Sequence, residues 1–246
     1  SYYSFDYANV HFVCLDSFLS DPYEGDPMWS WLQADLQSTD QDWIVAYWHH
    51  PPYSKGSHDS DIEPALINFR ETFVPLLEDY GVDLVMAGHS HSYERSYLID
   101  GHHGLSDTFD PATMKLDPGD GREGSDGAYH KVPIPHAGAV YCVAGVGSVI
   151  SGGTLDHPVM VHSVDMLGSV VLDVDGEHMR VSFIDSTGAV EDEFTIVNHG
   201  LAGLTVDTTR LSLTQGGSQS LEMDAGPAHQ GENYALLGSW TGTSPG

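Results

Sequence analysis

The sequence predicts an α/β fold, because strand-like and helix-like segments alternate through its first half. Short runs rich in β-branched and aromatic residues are separated there by segments whose apolar residues recur at helical spacing. The second half instead holds short alternating runs joined by Asp-Gly and Thr-Gly pairs, which is typical of antiparallel strands. With 246 residues, of which 40% are hydrophobic, the chain is long enough to bury a sizeable core.

The first predicted strand is residues 10–17 (VHFVCLDS), a buried run that ends in Asp-Ser. A helix follows, because Asp26 is suited to cap it and Pro27 is suited to its first turn. Residues 42–50 (DWIVAYWHH) form the next predicted strand. That strand ends where two prolines follow, since proline cannot continue a hydrogen-bonded ladder.

A second helix is predicted over residues 64–80, with Pro75 expected to kink or divide it. The strand at 82–88 completes a strand–helix–strand unit, whose two strands run parallel. Ligand sites in such sheets gather beyond the carboxyl ends of the strands. His49 and His89 both lie at such ends, so we expect them to meet.

The second half of the chain begins with a long segment rich in Gly, Asp, His and Pro, residues 100–138, whose length predicts a functional or disordered loop. Its histidines either shape the rim of a pocket or belong to a solvated acidic loop. An antiparallel meander is predicted from the strands that follow, at residues 137–148, 168–176, 178–188 and 191–198. Residues 199–246 contain further short strands between Gly-rich turns, which predicts the start of a separate, truncated β-rich module.

The charge balance is strongly acidic, with 8 Lys and Arg against 36 Asp and Glu and a formal net charge of −28. Such a surface repels nucleic acid, whose binding depends on Lys and Arg contacts to phosphate, so no nucleic-acid partner is expected. It indicates an extracellular or cell-surface protein, or one from a high-salt setting. The longest apolar runs fall far short of the roughly 20 residues that span a bilayer, so no membrane span is predicted.

The two cysteines, Cys14 and Cys142, both lie inside strand-like apolar runs. An unpaired cysteine in such a run behaves as a small buried hydrophobic residue. We therefore predict two free thiols rather than one disulfide.

The stretch VMAGHSHSYERS (85–96) contains an H-x-H pair directly after a predicted strand. In an extended segment His89 and His91 would project to one side and reach two neighbouring metal ions, with Gly88 leaving room. Taken alone, such a pair more often has a structural role, and His49 alone fits a turn histidine before proline. Together the three histidines predict a convergent metal site.

Two blocks, VAYWHHPPYSKGSH and VDLVMAGHSHSYERS, resemble the last two sequence blocks of the calcineurin-like metallophosphoesterases, and GHSHSYER is most similar to the purple acid phosphatase branch. The resemblance extends over residues 1–198. It implies a β-sandwich flanked by helices, the four-layer α/β/β/α metallophosphoesterase fold, with its N-terminal part missing. Residues 1–198 would then be the C-terminal part of the catalytic domain.

Carried over position by position, the resemblance implies that His49 and His89 bind one metal ion and His91 the other. His58 falls where purple acid phosphatases keep a histidine that contacts phosphate or protonates the leaving group, although it also fits a plain loop residue. His50 would support a ligand or contact solvent rather than bind metal. The remaining matched residues, expected to brace the loop, are Tyr93, Glu94 and Arg95.

The family's first three blocks, which supply the bridging Asp and an Asn, do not occur in these 246 residues. The chain opens with Ser1 and no signal-like segment, so we expect an internal fragment whose site needs the upstream segment of the same protein. The resemblance implies two metal ions, and Fe, Zn and Mn all remain open.

The implied reaction is hydrolysis of phosphate esters at this dinuclear centre, and the fragment alone is expected to be inactive. One alternative is a secreted surface or binding protein that retains the scaffold with an incomplete, silent metal centre. Another is a structural mononuclear zinc site formed by His49, His89 and His91. The Asp-Gly-rich stretch DPGDGREGSDG lacks the spacing of a calcium-binding loop.

Overall fold

The computed structural model describes residues 1–18, 22–199, 203–206 and 221–224. The α-helices in this part of the chain are α1 (Pro27–Ser38) and α2 (Pro64–Asp79). The strands, in chain order, are β1 (Tyr3–Tyr7), β2 (Val10–Cys14), β3 (Trp43–Trp48), β4 (Leu84–Ala87), β5 (Tyr93–Ser96), β6 (Tyr129–Lys131), β7 (Val140–Ala144), β8 (Met160–Val164), β9 (Gly168–Asp175), β10 (His178–Asp185), β11 (Val190–Asn198), β12 (Gly203–Val206) and β13 (Leu221–Asp224).

Seven strands form a mixed sheet in the order β1-β2-β3-β4-β7-β5-β8. Its centre, β2, β3, β4 and β7, is parallel, whereas β1, β5 and β8 pair antiparallel. The predicted strand–helix–strand unit is confirmed as β3, α2 and β4, with Val45 opposite Leu84. Because parallel strands end at the same edge of a sheet, the residues that follow β3 and β4 are brought side by side.

Strand β7 corrects one prediction, because residues 137–148 do not belong to the antiparallel meander. The strand lies parallel to β4, with Val85 opposite Tyr141. It is central and almost fully buried, and buried parallel strands are nearly continuous apolar runs. A short apolar run does not reveal which sheet it will join, since that depends on distant partners.

A second sheet has the order β6-β11-β10-β9. The meander of β9, β10 and β11 is antiparallel, as predicted, with Val181 paired to both Leu172 and Phe194. Strand β6 adds to β11 in parallel and comes from within the long segment 100–138, where a short 3-10 turn spans Ser106–Thr108.

Helix α1 follows the expected capping chemistry. The side chain of Asp26 accepts a hydrogen bond from the backbone N–H of Trp29, and Pro27 occupies the first turn of α1. Helix α2 continues through Pro75, so of the two expectations, a kink or a division, the division does not occur. Its apolar face, which includes Phe69 and Phe73, is buried, and this packing outweighs the backbone bond that proline removes.

The core is arranged in layers. Apolar residues of α1 and α2 pack on one face of the seven-stranded sheet. The other face packs against the four-stranded sheet, where Trp43, Val45 and Cys142 meet Phe194 and Ile196. The described residues therefore give the order helix, sheet, sheet, and both helices lie on the same outer side.

The chain divides into two compact units, residues 1–200 and 201–246. In the second unit β12 pairs with β13 antiparallel, with Gly203 opposite Asp224. The assignment of the first unit to a catalytic domain ending at residue 198 and of the second to an appended module stays a prediction. Among the described residues, no helix combines the length and apolar character needed to cross a membrane.

Neither cysteine forms a disulfide, and Cys142 is buried. Cys14 lies on β2 and Cys142 on β7, with two strands between them. At a spacing of about 4.8 Å per strand their backbones are roughly 14 Å apart, which is too far for a disulfide. The prediction of two free thiols is confirmed.

Candidate metal centre

Two histidines meet where the parallel strands β3 and β4 end. His49 directly follows β3, and His89 lies two residues beyond β4. The Nε2 atom of His49 is 3.0 Å from the Nδ1 atom of His89. The backbone N–H of Gly88 donates to the carbonyl of His49 over 3.1 Å, so the two strand ends are also joined through the main chain.

His89 has a backbone φ of +61°, in the left-handed region that residues other than glycine rarely adopt. The extended conformation expected for residues 89–91 is therefore wrong, because the chain turns at His89. His91 instead places its Nδ1 atom 2.8 Å from the Ser151 hydroxyl, and its backbone N–H donates to Ser57 over 2.9 Å. In the described part of the chain, no hydrogen bond links His91 to His49 or His89.

His58 joins the cluster through its ring and its partner Glu63. The rings of His58 and His89 are 3.6 Å apart between centroids. The Nδ1 atom of His58 lies 2.9 and 3.0 Å from the two carboxylate oxygens of Glu63, and His89 Nε2 lies 3.6 Å from the same carboxylate. Glu63 was not predicted from the sequence, where the only signal was a carboxylate five residues after His58.

His50 lies beneath the cluster and is largely buried. Its Nδ1 atom is 2.9 Å from the Ser17 hydroxyl oxygen, which also accepts the backbone N–H of His50 over 3.1 Å. One ring nitrogen from each of His49, His50 and His89 lies within 4.8 Å of the others. Ser17 therefore orients an imidazole directly next to the two that face each other.

Burial and, after it, the neighbouring histidines lower the pKa values in the cluster. Burial, followed by the nearby His58, His50 and His49, lowers the pKa of His89 to about 4. Burial, with smaller contributions from His58 and His91, also lowers the pKa of His49. These two imidazoles are therefore neutral at pH 7, which is the form that binds metal ions.

The buried carboxylate of Glu94 ties together the two loops that carry the histidines. It accepts hydrogen bonds from the hydroxyls of Ser54 and Ser92 and from the backbone N–H of Lys55. Burial raises its pKa, although these hydrogen bonds act in the opposite direction. Through these contacts Glu94 holds the segment after His49 against the segment that contains His91.

Tyr93 and Arg95 face the second sheet rather than the histidines. The Tyr93 hydroxyl donates to Asp192 over 2.8 Å, and Arg95 donates to both oxygens of the same carboxylate, over 2.6 and 3.0 Å. Arg122 also donates to Asp192, over 2.7 Å. The YER motif thus contacts the loop on one side and the second sheet on the other.

Two glycines let backbones approach closely around the histidine-bearing turn. A Cβ atom on Gly56 would lie 2.1 Å from the Ser92 hydroxyl oxygen, and one on Gly145 would lie 2.1 Å from the carbonyl oxygen of Ser90. Contacts this short do not occur between real Cβ atoms and their neighbours. Gly145 follows β7 directly, so the end of β7 packs against the turn that carries His89.

The histidines of the long segment 100–138 have other partners. His102 is buried against Tyr53 and Phe109, and His103 contacts Glu78. The remaining two are His130, which contacts His199, and His136, which contacts Asp100.

A cleft of about 660 Å³ lies on the face of the seven-stranded sheet next to β9, lined by apolar residues such as Phe5, Phe12, Met86 and Leu172. It reaches the histidine cluster only at Gly88. The ionisable side chains among its lining residues are those of Tyr7 and Tyr47, and neither belongs to the histidine cluster.

A family model of the calcineurin-like phosphoesterases matches residues 3–93. Purple acid phosphatase 22 of Arabidopsis thaliana is 36% identical over 138 residues, which cover 54% of this chain and 30% of the relative. An acid phosphatase of Aspergillus ficuum is 31% identical over 150 residues, which cover 44% of this chain and 24% of the relative. The chain thus spans less than a third of the length of these curated relatives.

Among solved structures, a purple acid phosphatase from yellow lupin (Lupinus luteus) seeds superimposes on 80% of this chain and 32% of its own, with a TM-score of 0.62 and 23% identity. PhoD superimposes on 80% of this chain and 42% of its own, with a TM-score of 0.51 and 15% identity. At such identities the likeness concerns the fold alone. The shared fold is the two-sheet fold of the metallophosphoesterases. The match over residues 3–93, the curated relatives and this likeness of fold support the calcineurin-like metallophosphoesterase superfamily and, within it, the purple acid phosphatase-like branch.

Proposed function

We propose that this chain provides the histidine half of a dinuclear metal centre that hydrolyses phosphate esters. The observation that carries the proposal is the pair of ring nitrogens of His49 and His89, 3.0 Å apart at the ends of two parallel strands. Two neutral imidazoles can share one N–H···N hydrogen bond at this contact, because each has one N–H and one lone pair. They are good ligands for a divalent transition metal, so the donor set fits the ion that the family implies.

In this proposal His49 and His89 bind one metal ion and His91 binds the other. The bound ions would supply Lewis-acid polarisation of the phosphoryl group and activation of the water nucleophile. Iron, zinc and manganese all suit imidazole ligands. The remaining ligands would come from the upstream segment of the same protein, because the family's Asp and Asn blocks do not occur in these 246 residues.

His58 is proposed as the residue that protonates the leaving oxygen. The Glu63 carboxylate accepts from Nδ1, which fixes the orientation of the ring. Nε2 is then the atom that would deliver the proton. The substrate class is a phosphorylated small molecule or ester, and a secreted location is part of the same proposal.

The metal assignment is tested on the 246-residue chain by equilibrium dialysis against Zn²⁺ or Mn²⁺ followed by metal analysis. We expect His49→Ala and His89→Ala each to weaken binding at this site at least about tenfold, because each removes a ligand. His130→Ala, an exposed histidine on β6, is the matched control and should bind as the parent does. Unchanged binding in His49→Ala would mean that this residue is a plain turn histidine.

The catalytic assignment is tested with an aryl phosphate. We expect the 246-residue chain to hydrolyse it no faster than the metal in buffer, and the protein that includes its upstream segment to turn it over. In that protein His91→Ala should lower kcat at least about 100-fold, while His58→Ala should keep both metals and slow esters with poor leaving groups most.

Two outcomes would contradict this account. Turnover by the 246-residue chain that disappears in His89→Ala would mean that the histidine half is sufficient. A protein with its upstream segment that binds metal and hydrolyses nothing would favour a secreted binding protein built on a silent scaffold.

A further inference from the structure

A second group of metal-binding side chains lies at the C-terminal end of α2. One ligand atom from each of Glu78, Asp100 and His136 lies within 4.8 Å of the others. Because α2 connects the end of β3 to the beginning of β4, its C-terminal end lies at the edge of the sheet opposite to His49 and His89. The group is therefore separate from the site described above.

Glu78 is fixed in place by its surroundings. It is 2% exposed, which is unusual for a glutamate that has no Lys or Arg partner. One carboxylate oxygen accepts the Tyr141 hydroxyl over 3.0 Å, and the other accepts the backbone N–H of Gly101 over 3.0 Å and lies 2.7 Å from His103 Nε2. A carboxylate held in this way is preorganised to bind a cation.

Each ring nitrogen of His136 faces a carboxylate. Its Nδ1 atom is 3.2 Å from each carboxylate oxygen of Asp100, and its Nε2 atom is 3.0 Å from the carboxylate of Asp79. Histidines that bind metal through one ring nitrogen usually donate the other N–H to a carboxylate or a carbonyl, which fixes the tautomer. Asp79 is placed to accept from Nε2 and so leave the lone pair of Nδ1 for a metal ion.

The local charge also favours a cation. Three carboxylates, those of Glu78, Asp79 and Asp100, gather around histidines. Among the residues that the structure describes, every ion pair that these carboxylates form is with a histidine and none is with Lys or Arg. A divalent ion would offset this excess of negative charge.

We propose that Glu78, Asp100 and His136 bind a divalent metal ion of the zinc type that closes the loop between residues 100 and 136. One imidazole and two carboxylates suit Zn²⁺, with water in the remaining position. Asp100 and His136 stand at the two ends of this long acidic loop, and Glu78 belongs to the helix on which both ends rest. Closing a long loop at its ends restricts the unfolded chain, so the ion would stabilise the fold.

The test uses Zn²⁺ alone and the full chain carrying His49→Ala, His89→Ala and His91→Ala, so that the first site does not contribute. Equilibrium dialysis should then find about one bound zinc per chain. His136→Asn, added to this background, should abolish that binding. Asparagine is chosen because His136 has a φ of +59°, a conformation that asparagine tolerates better than alanine. His130→Asn is the matched control and should keep the zinc.

Binding should also be visible in the protein itself. At a hundredfold excess over its Kd, zinc should raise the melting temperature by roughly 5 °C and slow protease cleavage between residues 101 and 135. Both effects should be absent in His136→Asn and present in His130→Asn.

The proposal is overturned if the triple-alanine background binds no zinc, or if His136→Asn binds it as tightly as His130→Asn does. If circular dichroism shows that His136→Asn is unfolded, Asp100→Asn decides by the same comparison. Failure here leaves the His49 proposal unaffected, because the residues of that site are already replaced in the background.

Discussion

Asp192 is a buried charged residue that joins the two sheets. Its carboxylate is fully buried and is hydrogen-bonded by Tyr93 and Arg95 of the first sheet and by Arg122. Burial alone would raise the pKa of Asp192, but the hydrogen bond and charge of Arg95, together with Arg122 and Tyr93, lower it well below its ordinary value. The carboxylate is thus charged and paired in the folded protein.

Asp192→Asn should lower the free energy of unfolding by about 3–5 kcal/mol, because it leaves the buried Arg95 without its counter-charge. The measurement is urea unfolding at pH 7. Asp173→Asn is the control, since the pair that Asp173 forms with Arg180 is solvent-exposed and should contribute about 0.5 kcal/mol or less. Equal losses in the two variants would mean that Asp192 does not hold the sheets together.

The pH dependence follows from the same carboxylate. An acid whose pKa is depressed in the folded state contributes stability above its unfolded pKa of about 3.9, and this contribution is lost as the pH falls through the folded value. The stability difference between wild type and Asp192→Asn should therefore be constant above about pH 5 and shrink below pH 4.

At the same scale, the sequence indicated that His49 and His89 meet, but not what surrounds them. His49, His58 and His89 stand out because an imidazole after a strand or a proline turn is a local feature. The partnership of Glu63 with both His58 and His89 depends on how α2 packs. The left-handed turn at His89 depends on the neighbouring end of β7, so neither could be predicted from local sequence.

At the scale of elements, the end of β7 supports the turn that carries His89. A Cβ atom at Gly145 would collide with the carbonyl oxygen of Ser90, whereas one at Gly147 would meet nothing within 4 Å. Gly145→Ala should therefore displace the turn, destabilise the chain by about 1–3 kcal/mol and weaken metal binding about tenfold. Gly147→Ala should change neither, as measured by thermal melts and dialysis against Zn²⁺. Identical behaviour of the two variants would mean that the end of β7 does not support the turn that carries His89.

The elements that could be predicted are those with long, strongly periodic patterns. Helices α1 and α2 and strands β3, β4, β9, β10 and β11 follow from apolar spacing and from capping or turn residues near their ends. Strand β5 was not predicted, because its four residues, YERS, carry polar groups and are buried by pairing with β7 and β8 and by contacts with the second sheet. The placement of β7 was wrong because a pattern of buried residues does not specify a distant partner.

At the scale of the whole molecule, the acidic charge has few positive charges to balance it. Of the eight Lys and Arg residues, Arg70, Arg95 and Lys131 are buried and act inside the fold. The formal charge of −28 is therefore carried mostly by the surface, where like charges repel and oppose the compact state. An extracellular or high-salt setting stays a prediction from this composition.

Salt should therefore stabilise the chain. Raising KCl from about 0.05 M to 1 M shortens the screening length from about 14 Å to about 3 Å, which suppresses the repulsion between surface carboxylates. The same change weakens partly exposed ion pairs such as Lys55 with Asp59 and Asp61, but leaves the buried Lys131–Asp83 pair largely intact. Because repulsive pairs outnumber attractive ones at this net charge, the melting temperature should rise with KCl.

Chloride is preferred to sulfate for this measurement, because sulfate stabilises proteins by exclusion from their surface. A flat or falling melting temperature would discard adaptation to high salt and leave secretion as the explanation for the acidic surface.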